Sequence, residues 1–483
     1  MSKTTVIYND IAPGSDYAST VTSEDAQPVS KLAKLPFGVA KVPIITGEHN
    51  AFLLGGTFRT AETEVIPFWS KEMSGDDCVL TNAPQITVSL DAQFSSVGIT
   101  IIGDLYDYCT SVNIKWYRGT TLLFNKDFSP NSTTYFCENR VENFDKAVLT
   151  FHKTSLPRRY AKINRILFGM IRKFGMSDLR KARITNEMNL ASVELPVSKF
   201  SWTLDSKEDV AYMFQLKQPV EAWNDDRLIG VYYIDEYSRT ADHIYPIECY
   251  DAIGVLSETT FPGGVYSGKS AKDLIQEIVY PFNVEFSADV VDTNLTGVIK
   301  SGKSRDALQQ VLFAWGVCAA TDGSEAIRVF NIPTGEKEIP ADKTFLGVSV
   351  STAAIVTEVQ VVSHVFTESE NGSVEISGKK YSDATETYTV KNPNVTANTK
   401  QNVKKISDAT LVSPSIAQSV AHRVYDYYAR RNTNSATIVY TGEKLGELKK
   451  IHNSWGGTNS GNIEKMEIKL SNTVVYGCEA KGV

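Results

Sequence analysis

The chain has 483 residues, of which 42% are apolar and 22% are charged, and its formal net charge is −7. This length and apolar fraction allow about three or four domains with cores of their own. The acidic balance argues against a free-standing nucleic-acid-binding protein, whose charge would be basic. The sequence contains no run of eighteen apolar residues, and Met1–Gly14 lacks the apolar core of a signal peptide. We therefore expect a chain that is made in a cytoplasm and has no membrane partner.

Cysteine and histidine residues are scattered along the sequence. The six cysteines form no Cys-x-x-Cys pair, which favours buried free thiols over disulfides or a zinc site. The six histidines show no metal-ligand spacing. We therefore predict no metal, no cofactor and no catalytic constellation.

The first third of the chain predicts an arm followed by a β-sandwich. Residues 1–41 are polar and rich in Ser, Thr, Asp and Pro, which is typical of an extended arm. Residues 42–168 contain short segments in which apolar and polar residues alternate, for example at Ile86, Val88 and Leu90. Such strands, separated by polar turns, predict a jelly-roll-like sandwich of two sheets.

Two further β regions flank a central unit. Residues 169–260 alternate in the same way and predict a first small β-barrel. Residues 332–483 predict a second barrel that includes a helix at 413–431. Ser413 is the predicted N-cap of this helix, and Pro414 is its first helical residue. The expected fold class is mainly β with a small α+β unit: a β-sandwich followed by two small hub-type β-barrels that flank a helix–helix–hairpin domain.

The central unit covers residues 261–331. It contains two short amphipathic helices, for which Ser270 and Ser304 are the predicted N-caps. A hairpin follows and turns at Asp322-Gly323, a dipeptide that supplies the positive φ angles of a tight turn. A compact α+β unit between the two barrels is the expected result.

The same phrase, Gly-x4-Gly-Lys-Ser, introduces each helix of this unit, at 263–270 and at 297–304. It matches the phosphate-binding loop of nucleotide hydrolases, in which Lys269 or Lys303 would neutralise phosphates. Neither copy follows the continuous apolar run of a buried parallel strand. We favour an exposed turn with a helix cap, and nucleotide hydrolysis is a minor alternative.

One basic segment contrasts with the acidic chain. Residues 158–183 contain nine Lys or Arg residues and one acidic residue, Asp178. We favour a solvated strand face that meets an acidic partner over a patch near nucleic acid, because a charge cluster attracts without specificity. The residues assigned to this possible interface are Arg158, Arg159, Arg165, Arg172, Lys173 and Arg180.

Large aromatic residues raise the alternative of a carbohydrate-binding surface module of a virion or particle. The candidate sugar platform consists of Trp69 and Trp116. Trp116 lies in phase with Val112 and Ile114, which favours a place in the core. Trp69 is therefore the better candidate of the two.

Several segments between Ile66 and Arg431 form a recognisable ensemble. They include Ile66-Pro-Phe-Trp69-Ser, Ile114-Lys-Trp116-Tyr117, Leu156-Pro-Arg-Arg-Tyr160, Gly230-Val-Tyr-Tyr-Ile-Asp235-Glu, Tyr250-Asp251-Ala-Ile-Gly254, Phe261-x-Gly263-Gly, Arg305-Asp-Ala-Leu308-Gln309-Gln310 and Ala417-x3-Ala421-x6-Tyr428-x-Arg430-Arg431. This ensemble resembles the baseplate hub proteins of long-tailed phages and related contractile particles. Both Gly-Lys-Ser loops depart from that family.

The resemblance implies a structural protein that is not an enzyme and needs no cofactor. It implies a trimeric hub that joins the sixfold tail tube to the central spike of a phage tail or a phage-tail-like particle. The implied partners are two further copies of the chain, the tail tube protein, the spike protein and other baseplate proteins, with no membrane and no sequence-specific nucleic acid binding. The implied location is the virion baseplate or a phage-tail-like particle, assembled in the bacterial host cytoplasm.

Overall fold

A computed structural model describes residues 4–12, 14–38, 43–45, 48, 60–62, 66–104, 107–206, 214–376, 378–396, 398–453, 455–471 and 474–482. The chain divides into two compact units, one of Asn9–Arg172 and one of Met1–Tyr8 with Lys173–Val483. The described residues form mostly β-strands, with four α-helices among them. The expected fold class, mainly β with a small α+β part, is confirmed.

The strands up to residue 175 are numbered in chain order, and a 3-10 helix covers Leu32–Lys34. These strands are β1 (Thr4–Ile11), β2 (Ser19–Thr22), β3 (Pro43–Ile45), β4 (Thr60–Glu62), β5 (Phe68–Met73), β6 (Gln85–Gly103), β7 (Cys109–Arg118), β8 (Thr121–Phe128), β9 (Thr134–Thr154), β10 (Tyr160–Leu167) and β11 (Gly169–Gly175).

The Asn9–Arg172 unit contains one seven-stranded sheet in the order β5-β10-β6-β9-β7-β8, with β2 beside β6. The long strands β6 and β9 run through both halves of this sheet, and their register shifts at bulges between Ser89 and Gly98. Because bulges bend strands, the parts of β6 and β9 on either side of the bulges contribute to one core. Gly98 has φ +157°, and a Cβ there would lie 2.4 Å from the carbonyl oxygen of Cys137. These strands, which the sequence predicted as a sandwich of two sheets, thus form one seven-stranded sheet.

The second unit contains the remaining strands and helices, with a 3-10 helix at Ala341–Lys343. Its strands are β12 (Leu179–Glu187), β13 (Lys199–Asp205), β14 (Pro219–Asn224), β15 (Arg227–Tyr237), β16 (Ile244–Tyr250), β17 (Thr260–Phe261), β18 (Gly264–Ser270), β19 (Val284–Phe286), β20 (Asn294–Ile299), β21 (Gly302–Lys303), β22 (Cys318–Ala320), β23 (Ile327–Phe330), β24 (Lys337–Glu338), β25 (Ser349–Thr352), β26 (Glu358–Glu368), β27 (Val374–Ile376), β28 (Lys379–Lys391), β29 (Val403–Ile406), β30 (Asn432–Val439), β31 (Leu448–His452), β32 (Thr458–Lys469) and β33 (Val475–Gly482). Its helices are α1 (Ala252–Val255), α2 (Ala271–Val279), α3 (Ser304–Trp315) and α4 (Pro414–Ala429).

The main sheet of the second unit runs in the order β1-β14-β15-β16-β13-β12-β32-β33-β30-β25. Strand β12 pairs with β13 on one side and with β32 on the other, where Arg183 faces Lys469. Strands from both predicted barrel regions, 169–260 and 332–483, therefore join in one sheet, whereas β26, β27, β28 and β29 form a separate four-stranded sheet. The strands of the joined sheet also share one core, to which Trp202 and Tyr476 contribute buried rings. We call this sheet the main sheet below.

The predicted arm, residues 1–41, contains two strands that pair with other parts of the chain. Thr4–Tyr8 pair with β14, and β2 pairs with β6. The alternating residues Val6 and Tyr8 are fully buried, which explains why this polar segment enters a sheet.

A second core of this unit surrounds the helices. Helices α2 and α3 pack there with the predicted hairpin of β22 and β23. In this hairpin Cys318 faces Phe330. Helix α4, predicted at 413–431, packs into this core through Val420 and Val424. Its apolar face lies mainly against β26 and β28, strands of the same predicted region 332–483, and it also contacts α3.

Two predicted helix caps have different outcomes. Ser270 Oγ accepts a hydrogen bond from the Asp273 amide at 3.1 Å, so this cap is confirmed. The Ser304 cap is wrong: Ser304 is the first residue of α3, and Lys303 is the N-cap without a side-chain hydrogen bond. The amide of Ser304 donates to the carbonyl of Thr259 at 3.0 Å, which satisfies a helix-end donor by another route.

Candidate functional site

The two Gly-Lys-Ser phrases lie in antiparallel ladders. Strand β18, which contains Gly268, Lys269 and Ser270, pairs antiparallel with β20, and β21 pairs antiparallel with β17. Lys269 Nζ lies 2.7 Å from Glu277 Oε1, so its charge has a carboxylate partner. A phosphate-binding loop connects a parallel strand to a helix, and these ladders do not have that geometry. The structure gives the nucleotide hypothesis no support.

The first glycine of each phrase is required by packing. Gly263 has φ +75°, and a Cβ there would lie 2.3 Å from the carbonyl oxygen of Ile299. Gly297 has φ +149°, and its Cβ would lie 2.3 Å from the carbonyl oxygen of Thr410. Only glycine allows both the backbone angle and this close approach. The repeated phrase therefore reflects two tight backbone contacts.

The basic segment does not form one solvated face. In the Asn9–Arg172 unit, Arg158 is exposed and its Nε lies 2.6 Å from Asp76 Oδ1. Arg159 is buried, and its Nε lies 3.3 Å from Asp107 Oδ2. The interface assignment of Arg159 is therefore wrong, because its guanidinium is enclosed within the unit.

The other assigned cations lie in varied surroundings. Arg165 is half-buried and donates to the carbonyl of Pro36, and Arg172 Nε lies 3.5 Å from Asp10 Oδ2. In the second unit Lys173 and Arg180 are exposed, and Arg180 Nε lies 2.8 Å from Asp205 Oδ2. The exposed cations Arg158, Lys173 and Arg180 stay candidates for a contact with a partner.

A buried ionic cluster accounts for part of the basic segment. The ammonium of Lys162 contacts Glu48 and lies 3.2 Å from Asp107 Oδ2 and 3.6 Å from Asp104 Oδ2. All four side chains are almost inaccessible to solvent. Three buried carboxylates thus lie around Lys162, and Asp107 also contacts Arg159, an arrangement that stabilises only while the cations are present. Sequence spacing gives no sign of this cluster, because Glu48 is far from the other residues along the chain.

The two candidate sugar-binding tryptophans are buried. Trp116 is fully inaccessible and packs against Phe128 in the sheet core, as the alternative interpretation predicts. Trp69 is 7% exposed, stacks on Tyr160 and lies under the Lys162 ammonium. A sugar platform needs an accessible ring face. The platform assignment of Trp69 and Trp116 is therefore wrong for the unit as described.

The main sheet has an exposed edge at β25. This strand pairs with β30 on one side and ends the strand order, and all four of its residues are exposed. Phe345 and Leu346, just before it, are 49% and 93% exposed, and Val350 lies within it. We call Phe345–Thr352 the edge segment. Sequence patterning missed it because an edge strand with polar neighbours has no distinctive periodicity.

The motif Tyr250-Asp251-Ala-Ile-Gly254 has a structural role in the second unit. Asp251 is the N-cap of α1, where Oδ1 accepts from the Gly254 amide at 2.8 Å. Its Oδ2 accepts from Thr321 Oγ1 at 2.8 Å, which ties α1 to the residue after β22. Burial raises the pKa of Asp251 from 3.8 to about 6, although these hydrogen bonds oppose the rise.

Asp251→Asn is expected to stabilise the protein at neutral pH. The folded state binds the Asp251 proton more tightly than the unfolded chain, so the wild-type protein loses stability as the pH rises from about 4 to about 6. Asparagine keeps a cap oxygen and carries no charge, so the gain above pH 7 reaches about 3 kcal/mol and vanishes near pH 4. Urea unfolding at both pH values measures it. An equal difference at both pH values would contradict the assignment.

The described residues show no metal site, and most of the thiols are buried. No group of three His, Cys, Asp or Glu side chains converges there as metal ligands. All six cysteines are free, and five are buried, as the sequence predicts. Burial raises the pKa of Cys109 to about 12, which keeps this thiol protonated and inert. No helix in the described ranges is long and apolar enough to span a membrane.

Comparison with known proteins gives matches at the level of structure. No protein-family model and no curated protein sequence matches this chain. The tail protein from Neisseria meningitidis is 11% identical with a TM-score of 0.48, and the match covers 64% of this chain and 93% of that one. A 43 kDa prophage tail protein from Shewanella oneidensis is 11% identical with a TM-score of 0.45, over 64% and 95%. A prophage tail protein from Listeria monocytogenes is 9% identical with a TM-score of 0.42, over 64% and 91%.

Proposed function

We propose that the chain is the structural baseplate hub of a phage tail or phage-tail-like particle. In this role it is a trimeric adaptor that joins the sixfold tail tube to the central spike, within a virion or particle assembled in a bacterial cytoplasm. It acts by forming interfaces with two further copies, the tube protein, the spike protein and other baseplate proteins, and it catalyses no reaction. The tail proteins to which it is similar belong to the same class of particle.

The observation that carries this proposal is the edge segment. An open strand edge next to exposed large apolar side chains is an aggregation hazard in a monomer, and an assembled particle removes it by covering the edge. Leu346 is almost fully exposed in the lone chain. In a cyclic trimer the contacts are head-to-tail, so the edge segment would meet a different surface of the neighbouring copy.

The proposal is tested by mass photometry of the purified chain and by co-sedimentation with the tube and spike proteins of the same particle. We expect a trimer that co-sediments with both. A monomer that joins neither protein would overturn the proposal.

Leu346→Asp is expected to weaken the trimer. Exposing a leucine that an interface buries costs about 2 kcal/mol, and the introduced charge adds a desolvation cost. The dissociation constant should therefore rise about tenfold or more, as measured by mass photometry over a dilution series. The matched control is Leu122→Asp, at a half-exposed leucine of the Asn9–Arg172 unit. Equal effects of the two substitutions would exclude the edge segment as the interface.

A further inference from the structure

A pocket of about 460 Å³ opens in the second unit where the ends of β30, β32 and β33 meet the segment after β23. Its polar lining includes Arg430, Lys481, Asn432, Asn434, Ser460 and Asn462. Ile332 and Leu448 add an apolar wall. This volume lies in the range of ligand-binding pockets and far exceeds the space of one water molecule.

Two cations lie in this pocket, Arg430 and Lys481. Neither forms an ion pair with a residue that the structure describes, although the Glu464 carboxylate attracts Lys481. Arg430 Nη1 donates to Asn462 Oδ1 at 2.8 Å, which fixes the guanidinium at the pocket wall. Lys481 Nζ lies 3.6 Å from the centre of the Tyr427 ring. Burial lowers the pKa of Lys481; Glu464 opposes this effect, and Arg430 adds to it. Because Arg430 and Lys481 repel each other, an anion in the pocket would stabilise both.

A third side chain of the pocket lining has a buried oxygen without a hydrogen-bond partner. Asn434 is 1% exposed, and its Oδ1 has no hydrogen-bond partner in the structure. A buried amide without partners costs free energy, so such a group in a pocket points to a ligand that carries hydrogen-bonding groups of its own. A bare inorganic anion would satisfy the cations but would leave the apolar wall uncovered.

We propose that this pocket binds the carboxylate of an acidic peptide segment from a partner protein. The carboxylate lies against Arg430, whose planar fork matches its two oxygens, and against Lys481. The peptide backbone supplies the N–H donor that Asn434 Oδ1 lacks, and an aliphatic residue next to the acid covers Ile332 and Leu448. This binding does not require the chain to form a trimer.

Isothermal titration calorimetry with two peptides tests the proposal. The probe Ac-Ala-Ala-Ala-Leu-Glu, with a free carboxyl end, should bind with a micromolar dissociation constant. The uncharged peptide Ac-Ala-Ala-Ala-Leu-Gln-amide should bind at least tenfold more weakly. Arg430→Gln and Lys481→Gln should each weaken binding of the acidic peptide tenfold or more, as expected for the loss of a charge-assisted hydrogen bond. Lys469→Gln, at an exposed cation outside the pocket, should leave the affinity unchanged.

The outcomes separate the alternatives. Equal affinities for the two peptides, or acidic-peptide binding that survives both cation substitutions, would overturn the proposal. Inorganic phosphate or succinate binding as tightly as the acidic peptide would also overturn it, in favour of a small anion. Circular dichroism melting checks that the variants fold. If Arg430→Gln unfolds, because Asn462 loses its donor, Lys481→Gln decides the question.

Discussion

Lys162→Met is expected to destabilise the Asn9–Arg172 unit more than any surface substitution in it. The change removes the ammonium that Glu48, Asp104 and Asp107 share, while Arg159 stays 3.3 Å from Asp107. Breaking a buried ion pair by deleting one partner costs about 3–5 kcal/mol, because an uncompensated charge stays behind. Urea unfolding, followed by hydrogen exchange in peptides from β6, β9 and β10, measures the loss within this unit.

The matched control for this prediction is Arg158→Met. Arg158 also forms an ion pair, with Asp76, but both side chains are more than half exposed. Exposed pairs contribute little, because water and salt screen them. Hydrogen exchange in the same peptides should therefore stay unchanged. Equal effects of the two substitutions would show that the buried cluster does not stabilise the unit.

Gly297→Ala is expected to destabilise the second unit on the order of 3 kcal/mol, from an unfavourable φ together with a steric clash. Gly297 lies at φ +149°, and an added Cβ would approach the Thr410 carbonyl oxygen to 2.3 Å. Because Thr410 precedes α4, the clash should separate β20 from the segment that leads into this helix. Thermal unfolding, with hydrogen exchange across β20 and α4, measures both effects.

The control lies in the same Gly-x4-Gly-Lys-Ser phrase. Gly302 has no left-handed φ, and a Cβ there would meet nothing closer than 4.0 Å. Gly302→Ala and Lys303→Ala should therefore leave stability unchanged. A phosphate-binding loop would instead depend on both of these residues and would bind ATP with magnesium. Such binding, lost in either variant, would contradict the structural role assigned to the phrase.

Local patterns in the sequence predicted local structure well. Capping by Ser270, the hairpin of β22 and β23 and the start of the helix after Ser413 depend on neighbouring residues, which the sequence displays directly. The predicted tight turn at Asp322-Gly323 is wrong, because β22 ends at Ala320 and β23 begins at Ile327, so that a longer loop joins them. Gly323 has a positive φ, whereas Asp322 turns its carboxylate to Arg328 and to the Leu445 amide. The contact between Asp322 and Leu445 joins residues distant in sequence, so local patterns could not predict it.

Long-range relationships were the part that the sequence did not predict. The ladder between β12 and β32 connects the two predicted barrel regions. The sequence of neither strand indicates the strand with which it pairs. Charge runs were equally ambiguous, since Arg158 and Arg159 are neighbours in sequence yet one is exposed and the other is buried. The pocket at Arg430 and Lys481 unites residues from separate strands, so spacing alone gave no sign of it. The domain limits at 41, 168, 260 and 331 stay predictions.

The pairing of β12 with β32 also limits how early the main sheet can form during translation. Arg183 leaves the ribosome long before Lys469, its partner in the ladder, and translation adds only roughly 5–20 residues per second. During that interval β12 has an unpaired side, and non-local pairing of this kind is slow to form. A nascent or prematurely terminated polypeptide therefore cannot close the main sheet. Only chains long enough to include β32 can complete the main sheet.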